Sequence, residues 1–230
     1  MTAIFHDTFT VVTPAGVYPP QEDSQLLVDT LMESGLAPGR RVADLCTGSG
    51  VVAVAAAALG AGEVMAFEIS PEAADCAQTN AQAAGVSVDI RCASWILAHD
   101  HGPFDVVTAN PPYVPAGPLA HTEVIPTCAG PAQAWNAGPD GRLILDPLCD
   151  SAADLLTENG TLFIVQSAFA DVPQSLRRLR SAGLDAEVVA SQWIPFGPVL
   201  TARAKWLEDT GRMPVGQREE KLVVIRADKP

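Results

Sequence analysis

Lysine is scarce in this chain: Lys205, Lys221 and Lys229 are the only three among 14 basic residues, and 27 acids set against those bases leave a formal charge of −13. A surface that acidic repels phosphate backbones and argues against a general duplex-DNA or RNA binder. Charge of either sign is thin at 18% against 48% hydrophobic residues, which excludes disorder as the main state. The five cysteines (Cys46, Cys76, Cys92, Cys128, Cys149) form no CxxC and no Cys/His pair at zinc spacing. No metal site is expected, and all five read as buried, reduced thiols of a cytoplasmic protein. Long apolar runs are missing too. The longest uncharged stretch, between Asp44 and Glu63, is mostly alanine broken by Gly48, Gly50, Gly60 and Gly62, and reads as a loop and helix rather than a membrane span. The opening MTAIFHDTFTVV has no basic region followed by an apolar one, so no leader is expected.

What is present is a regular alternation. Short apolar runs at 41–45, 63–67, 88–92, 104–109, 161–165, 184–190 and 221–226 read as strands. Helices are expected at 51–59, 71–84, 142–157 and 172–181, and over 17–34 ahead of the sheet, entered through Pro19-Pro20. Ser70 caps the second of these, Pro71 opens it and Gly85 ends it. Strands alternating with helices predict an α/β, Rossmann-like, seven-stranded and mostly parallel sheet with helices on both faces. With 230 residues, one domain over 1–230 is expected, its helical leading segment at 1–39 and its core at 40–230.

Two motifs carry chemistry. Asp44-Leu45-Cys46-Thr47-Gly48-Ser49-Gly50 follows a strand and opens a helix, and Glu68 closes the next strand. Glycines there allow a tight turn and a close backbone approach to a ligand, and an acid about 20 residues on suits ribose hydroxyls. The third glycine of a dinucleotide fingerprint is replaced by Ala53. Asp44 beside the loop suits a ligand with an ammonium group more than a pyrophosphate. Taken alone, the glycine turn is equally an ordinary strand-to-helix connection; Asp44 and Glu68 at strand ends favour a ligand.

Asn110-Pro111-Pro112-Tyr113 follows the strand at 104–109. Two prolines stiffen the turn. The Asn110 amide oxygen and the Pro111 carbonyl are placed to accept both protons of a substrate NH₂, with Tyr113 as a flat wall. The plain alternative, a proline-rich turn with a capping Asn, loses weight beside the glycine loop.

These residues in this order resemble a class I S-adenosylmethionine-dependent methyltransferase that methylates nitrogen. Val17-Tyr18-Pro19-Pro20-Gln21-Glu22-Asp23-Ser24 and Trp135-Asn136-Ala137-Gly138 resemble the short, one-domain HemK-type protein-glutamine methyltransferases. The resemblance implies S-adenosyl-L-methionine as cofactor. It implies catalytic roles for Asn110, Pro111, Pro112 and Tyr113. Cofactor contacts are implied at Tyr18, Pro20, Glu22, Asp23 and Ser24; at Asp44, Thr47, Gly48 and Gly50; at Glu68 and Ile69; and at Ser94, Trp95 and Asn110. It further implies a protein substrate such as a translation release factor, a small zinc-binding activator subunit, and no N-terminal helical domain of the kind that longer relatives carry. An exposed apolar strand edge near 86–92 would suit such an activator. Where relatives carry an acid near the adenine, this chain reads Ala93-Ser94-Trp95, and residues 192–217 do not align. An adenine-N6 nucleic-acid methyltransferase shares the tetrapeptide, but no Lys or Arg follows Tyr113 until Arg142. A small-molecule N-methyltransferase and a catalytically lapsed cofactor-binding subunit are the remaining alternatives. His6, His99, His101 and His121 read as surface residues.

Overall fold

The computed structural model describes residues 2–5, 9–118 and 124–230, with side chains from residue 10 onward. His6 and His121 lie outside the described residues. A hairpin, β1 (Thr2–Phe5) and β2 (Phe9–Val12), precedes the first helix, α1 (Glu22–Ser34). Then follow β3 (Arg41–Leu45), α2 (Val51–Ala58), β4 (Glu63–Glu68), α3 (Pro71–Ala83), β5 (Asp89–Cys92), a 3₁₀ turn (Trp95–Asp100) and β6 (Phe104–Ala109). The second half contributes α4 (Leu145–Leu155), β7 (Leu156–Ser167), α5 (Val172–Ser181), β8 (Asp185–Pro195), α6 (Pro198–Asp209) and β9 (Glu219–Asp228).

The seven-stranded sheet runs β5-β4-β3-β6-β7-β9-β8, parallel except for the pairings of β9 with β7 and β8. Each central strand is buried on both faces, and successive residues enter opposite layers. Val42, Val64, Val106 and Phe163 pack with α1 and α2, whereas Ala43, Met65, Val107 and Leu162 pack with α4 and its neighbours. That double burial is why these strands read as continuous apolar runs. The chain leaves β3 toward β4 and β5, then returns to the other side of β3 as β6. The carboxyl ends of β3 and β6 therefore flank a topological switch point, where ligands of such sheets bind.

Several elements differ from the sequence reading. The first helix starts at Glu22, not residue 17, because Pro19 and Pro20 hold the approach extended. The helix expected over 142–157 covers only Leu145–Leu155, and its last expected residues open β7, which runs well before residue 161. Strands β8 and β9 outrun their expected spans, 184–190 and 221–226. Helix α6 and the β1–β2 hairpin were not foreseen. The cysteines are not uniformly buried: Cys76 and Cys149 are, Cys46 is half-buried, and Cys92 and Cys128 are exposed, the first at the end of the outermost strand β5, the second in a short 3₁₀ turn. No helix among the described residues is long and apolar enough to cross a membrane.

Candidate active site

At the carboxyl end of β3 the backbone turns sharply. Cys46 (φ 58°), Gly48 (φ 55°) and Gly50 (φ 82°) are all left-handed. Gly50 is required for packing as well as conformation, because a Cβ there would stand 2.9 Å from the Ala77 Cβ of α3. Above this loop lies a cavity of about 600 Å³, within the usual range for small-molecule sites.

Glu68 organises the loop. Its two carboxylate oxygens accept from the Gly48 and Ser70 backbone N–H groups, each at 2.9 Å. The carboxylate keeps further lone pairs for hydroxyl donors. Asp44 lines the cavity as well. It is buried, and its oxygens accept from the Thr47 and Thr108 hydroxyls, the latter at 2.8 Å. Burial pushes its carboxyl up to about 6, against those two hydroxyl bonds. Its polar capacity is thus largely spent inside the loop, where it fixes the turn.

The turn after β6 meets α1. Asn110 lines the cavity; its Nδ2 donates to the Ser24 Oγ at 3.3 Å, and no other described residue bonds its side chain. Asp23 Oδ2 accepts from the Tyr113 hydroxyl at 3.0 Å and the Tyr18 hydroxyl at 3.4 Å. Burial, followed by the Asp23 charge, pushes both phenols well above their ordinary value, so they remain donors. Tyr18, Asp23 and Tyr113 form a hydrogen-bonded wall of the cavity. Behind the turn, Val114 and Trp135 are zipped together: the Val114 N–H donates to the Trp135 carbonyl at 2.9 Å and the Ala137 N–H to the Val114 carbonyl at 3.1 Å. Helix α6 holds this pair. The fully buried Arg203 donates to the Pro115 carbonyl at 2.6 Å and to Asn136 Oδ1 at 3.0 Å, with its guanidinium 4.9 Å from the centre of the Trp135 ring.

Most of the expected site residues line this one cavity: Tyr18, Pro20, Asp23 and Ser24 from the segment leading into α1; Asp44, Thr47 and Gly48 from the loop; Glu68 and Ile69; Ser94 and Trp95; and Asn110 through Tyr113. Two do not. Gly50 sits beneath the loop against α3, and Glu22 faces a second, smaller cavity. Ser94 uses its hydroxyl to cap the 3₁₀ turn, accepting from Ile96 N. Sequence reasoning did not assign site roles to Trp135 or to Glu220 on β9. Trp135 had a signal in the Trp-Asn-Ala-Gly string. Glu220 had none, since only the sheet order brings β9 close to α1.

The lining includes the carboxylates Asp23, Asp44 and Glu68, and no Lys or Arg among the described residues. Such walls disfavour a polyphosphate and suit a ligand bearing positive charge. Comparison with known proteins decides the family: the methyltransferase small domain family matches residues 8–127, more than half the chain. The chain belongs to the methyltransferase small domain family. Among its sequence relatives, a Methanocaldococcus jannaschii protein with a provisional protein N5-glutamine methyltransferase name is 29% identical over 82% of this chain and 91% of its own length. The release factor glutamine methyltransferase of Mycolicibacterium smegmatis is 35% identical over 69% of this chain, which spans only 57% of that protein. These relatives agree with the HemK-type resemblance of the motifs. Among solved structures, the E. cuniculi Mtq2–Trm112 complex shares the fold at a TM-score of 0.61 and 20% identity, covering 94% of this chain and 99% of that one. The T. thermophilus 16S rRNA methyltransferase RsmC, solved with AdoMet and guanosine, gives a TM-score of 0.64 at 20% identity, covering 100% of this chain and 50% of that one. The methyltransferase thus has the class I fold.

Proposed function

We propose that this methyltransferase transfers a methyl group from S-adenosylmethionine to the side-chain nitrogen of a glutamine in a protein, with a translation release factor as the substrate its relatives' names suggest. The observation that carries this reading is Asn110, whose Oδ1 has no hydrogen-bond partner among the described residues and which lines a cavity with three carboxylates and no Lys or Arg among them. The cofactor fits the residues present. Glu68 offers carboxylate lone pairs for ribose hydroxyls, Ile69 and Trp95 offer apolar faces for a base, and the acidic lining complements a cation. When bound, the cofactor supplies an electrophilic methyl group.

The chain's own residues do the rest. An amide nitrogen is a poor nucleophile because its lone pair is delocalised. Asn110 Oδ1 and the Pro111 carbonyl accept hydrogen bonds from its two N–H groups and align the nitrogen, which sheds one proton to solvent once methylated; such positioning accounts for a large share of a barrier. Those bonds strengthen as the nitrogen gains positive character, which favours the transition state over the ground state. Tyr113, held by Asp23, packs against the amide plane. An adenine base in a nucleic acid is disfavoured by the lining and by the −13 charge.

An activator subunit belongs to the same proposal. Its natural place is β5, an outermost strand paired only with β4. The expected exposed apolar edge is not formed there: Ser87, Asp89 and Arg91 are exposed and Val88 is buried, so a partner would dock by main-chain pairing and charge. The test is methyl transfer by the purified chain, alone and with such a subunit, to a Gly-Gly-Gln peptide, an adenine oligonucleotide and small amines. Transfer to the glutamine peptide supports the reading; transfer confined to the oligonucleotide or the amines contradicts it.

A further inference from the structure

Among the described residues, two buried side-chain polar atoms lack a hydrogen-bond partner: the Trp135 indole Nε1 and Glu220 Oε2. Both side chains line the same second cavity, of about 260 Å³. They arrive there from distant parts of the chain, Trp135 from the loop beyond the catalytic turn and Glu220 from the start of β9. Tyr18, Asp23, Tyr113, Val114 and Trp135 line both cavities, so the second one lies directly behind the wall of the first. Native proteins rarely leave such atoms unpaired, and each one is a loss of stability that a bound partner returns.

One of the two atoms is a donor and the other an acceptor. A lysine or arginine side chain would satisfy Glu220 and leave the indole N–H unpaired. An anion would meet Glu22, Asp23 and Glu220 together. An amide group carries a carbonyl for the indole and an N–H for the carboxylate. Ile194, Phe196, Val199 and Leu222 complete an apolar wall suited to an uncharged occupant. Burial, followed by the charges of Asp23 and Glu22, raises the Glu220 carboxyl to about 7 despite a bond from Ser167.

We infer that the second cavity is a subsite for a main-chain amide of the protein substrate, next to the target glutamine. A peptide whose glutamine reaches Asn110 lays its backbone along the Tyr18–Asp23–Tyr113 wall, and one peptide unit turns over that wall onto Trp135 and Glu220. The inference rests on the protein-glutamine reading above.

An ester scan tests it. Each peptide bond flanking the glutamine of a Gly-Gly-Gln peptide is replaced in turn by an ester, which removes one N–H. In the wild type, one position should raise KM about tenfold, the scale of a hydrogen bond to a carboxylate. Glu220→Leu should treat that ester and the parent amide alike, whereas Glu220→Gln, which keeps an acceptor oxygen, should retain the penalty. Trp135→Phe removes the indole N–H together with part of the ring and should raise KM for the all-amide peptide. That variant tests the inference even if Glu220→Leu fails to fold. A wild type that methylates the peptide but shows the same ester profile as Glu220→Leu, or an unchanged KM in Trp135→Phe, overturns the subsite alone. A wild type that neither binds nor methylates the peptide overturns the protein-glutamine reading and the subsite with it.

Discussion

Asn110 shows how one side chain is readied by its neighbours. The Ser24 Oγ accepts from its Nδ2, and no described residue occupies its Oδ1. Asn110→Ala should therefore lower turnover by about 10²–10³, the scale of losing one preorganised polar group, while calorimetry finds cofactor affinity unchanged. Two buried acids make a second prediction. Asp44 and Glu220 hold their protons more tightly folded than unfolded, at about 6 against 3.8 and about 7 against 4.5. Their contribution to stability is fully present below the unfolded values and is lost as pH rises through about 6 and about 7. Glu220→Gln should accordingly raise Tm at pH 8 and leave it nearly unchanged near pH 4 in thermal melts; an equal shift at both would contradict the burial argument. The placement of these residues was legible in unequal measure. Glu68 and Asn110 could be read because each follows a strand and a turn that punctuate the sequence. The inward commitment of Asp44 could not, because it depends on the hydroxyl of Thr108, brought in by the pairing of β6 with β3.

Helices and strands were legible where local rules agree. Ser70 with Pro71 marks the start of α3, and the apolar alternation marks β3, β4 and β6. Helix α6 was missed because Pro195, Pro198 and Pro214 make its surroundings read as loop, although Pro198 occupies the first turn, where proline is well tolerated. Its importance lies in contact, not in pattern. Arg203 joins it to the exit of the Asn110–Tyr113 turn, and Trp206 packs where a Cβ on Gly117 would stand 2.7 Å from the ring. Arg203→Met should destabilise the fold by about 2–4 kcal/mol, since it leaves buried acceptors unpaired, and denaturant melts would measure that. Gly141 is the other unforeseen constraint. It is left-handed (φ 78°), and a Cβ there would collide with the Tyr113 carbonyl. Gly141→Ala should depress turnover more than cofactor binding, because the displaced group belongs to the Asn110–Tyr113 turn proposed to hold the substrate amide; an unaltered kcat would show that the turn yields without consequence.

Across the whole molecule, the acidity read from composition alone acquires a location. The −13 charge is matched by a main cavity with three carboxylates and no Lys or Arg in its lining among the described residues. A protein substrate is then expected to present basic surface around its glutamine, and its KM should rise with salt as the attraction is screened. A KM indifferent to salt between low and physiological ionic strength would remove that expectation. The overall architecture was legible because a sheet buried on both faces leaves unbroken apolar runs, whereas the second cavity was not, since it exists only where β9, α1 and the Trp135 loop converge. The central claim is methyl transfer to a glutamine amide nitrogen. Its most direct test is mass spectrometry of tryptic peptides after incubation of a release factor with isotope-labelled S-adenosylmethionine and the purified chain. The account predicts one labelled methyl group on the side-chain nitrogen of a glutamine, absent with Asn110→Ala. Label on lysine or only on nucleic acid, or label on glutamine that persists in Asn110→Ala, would contradict it.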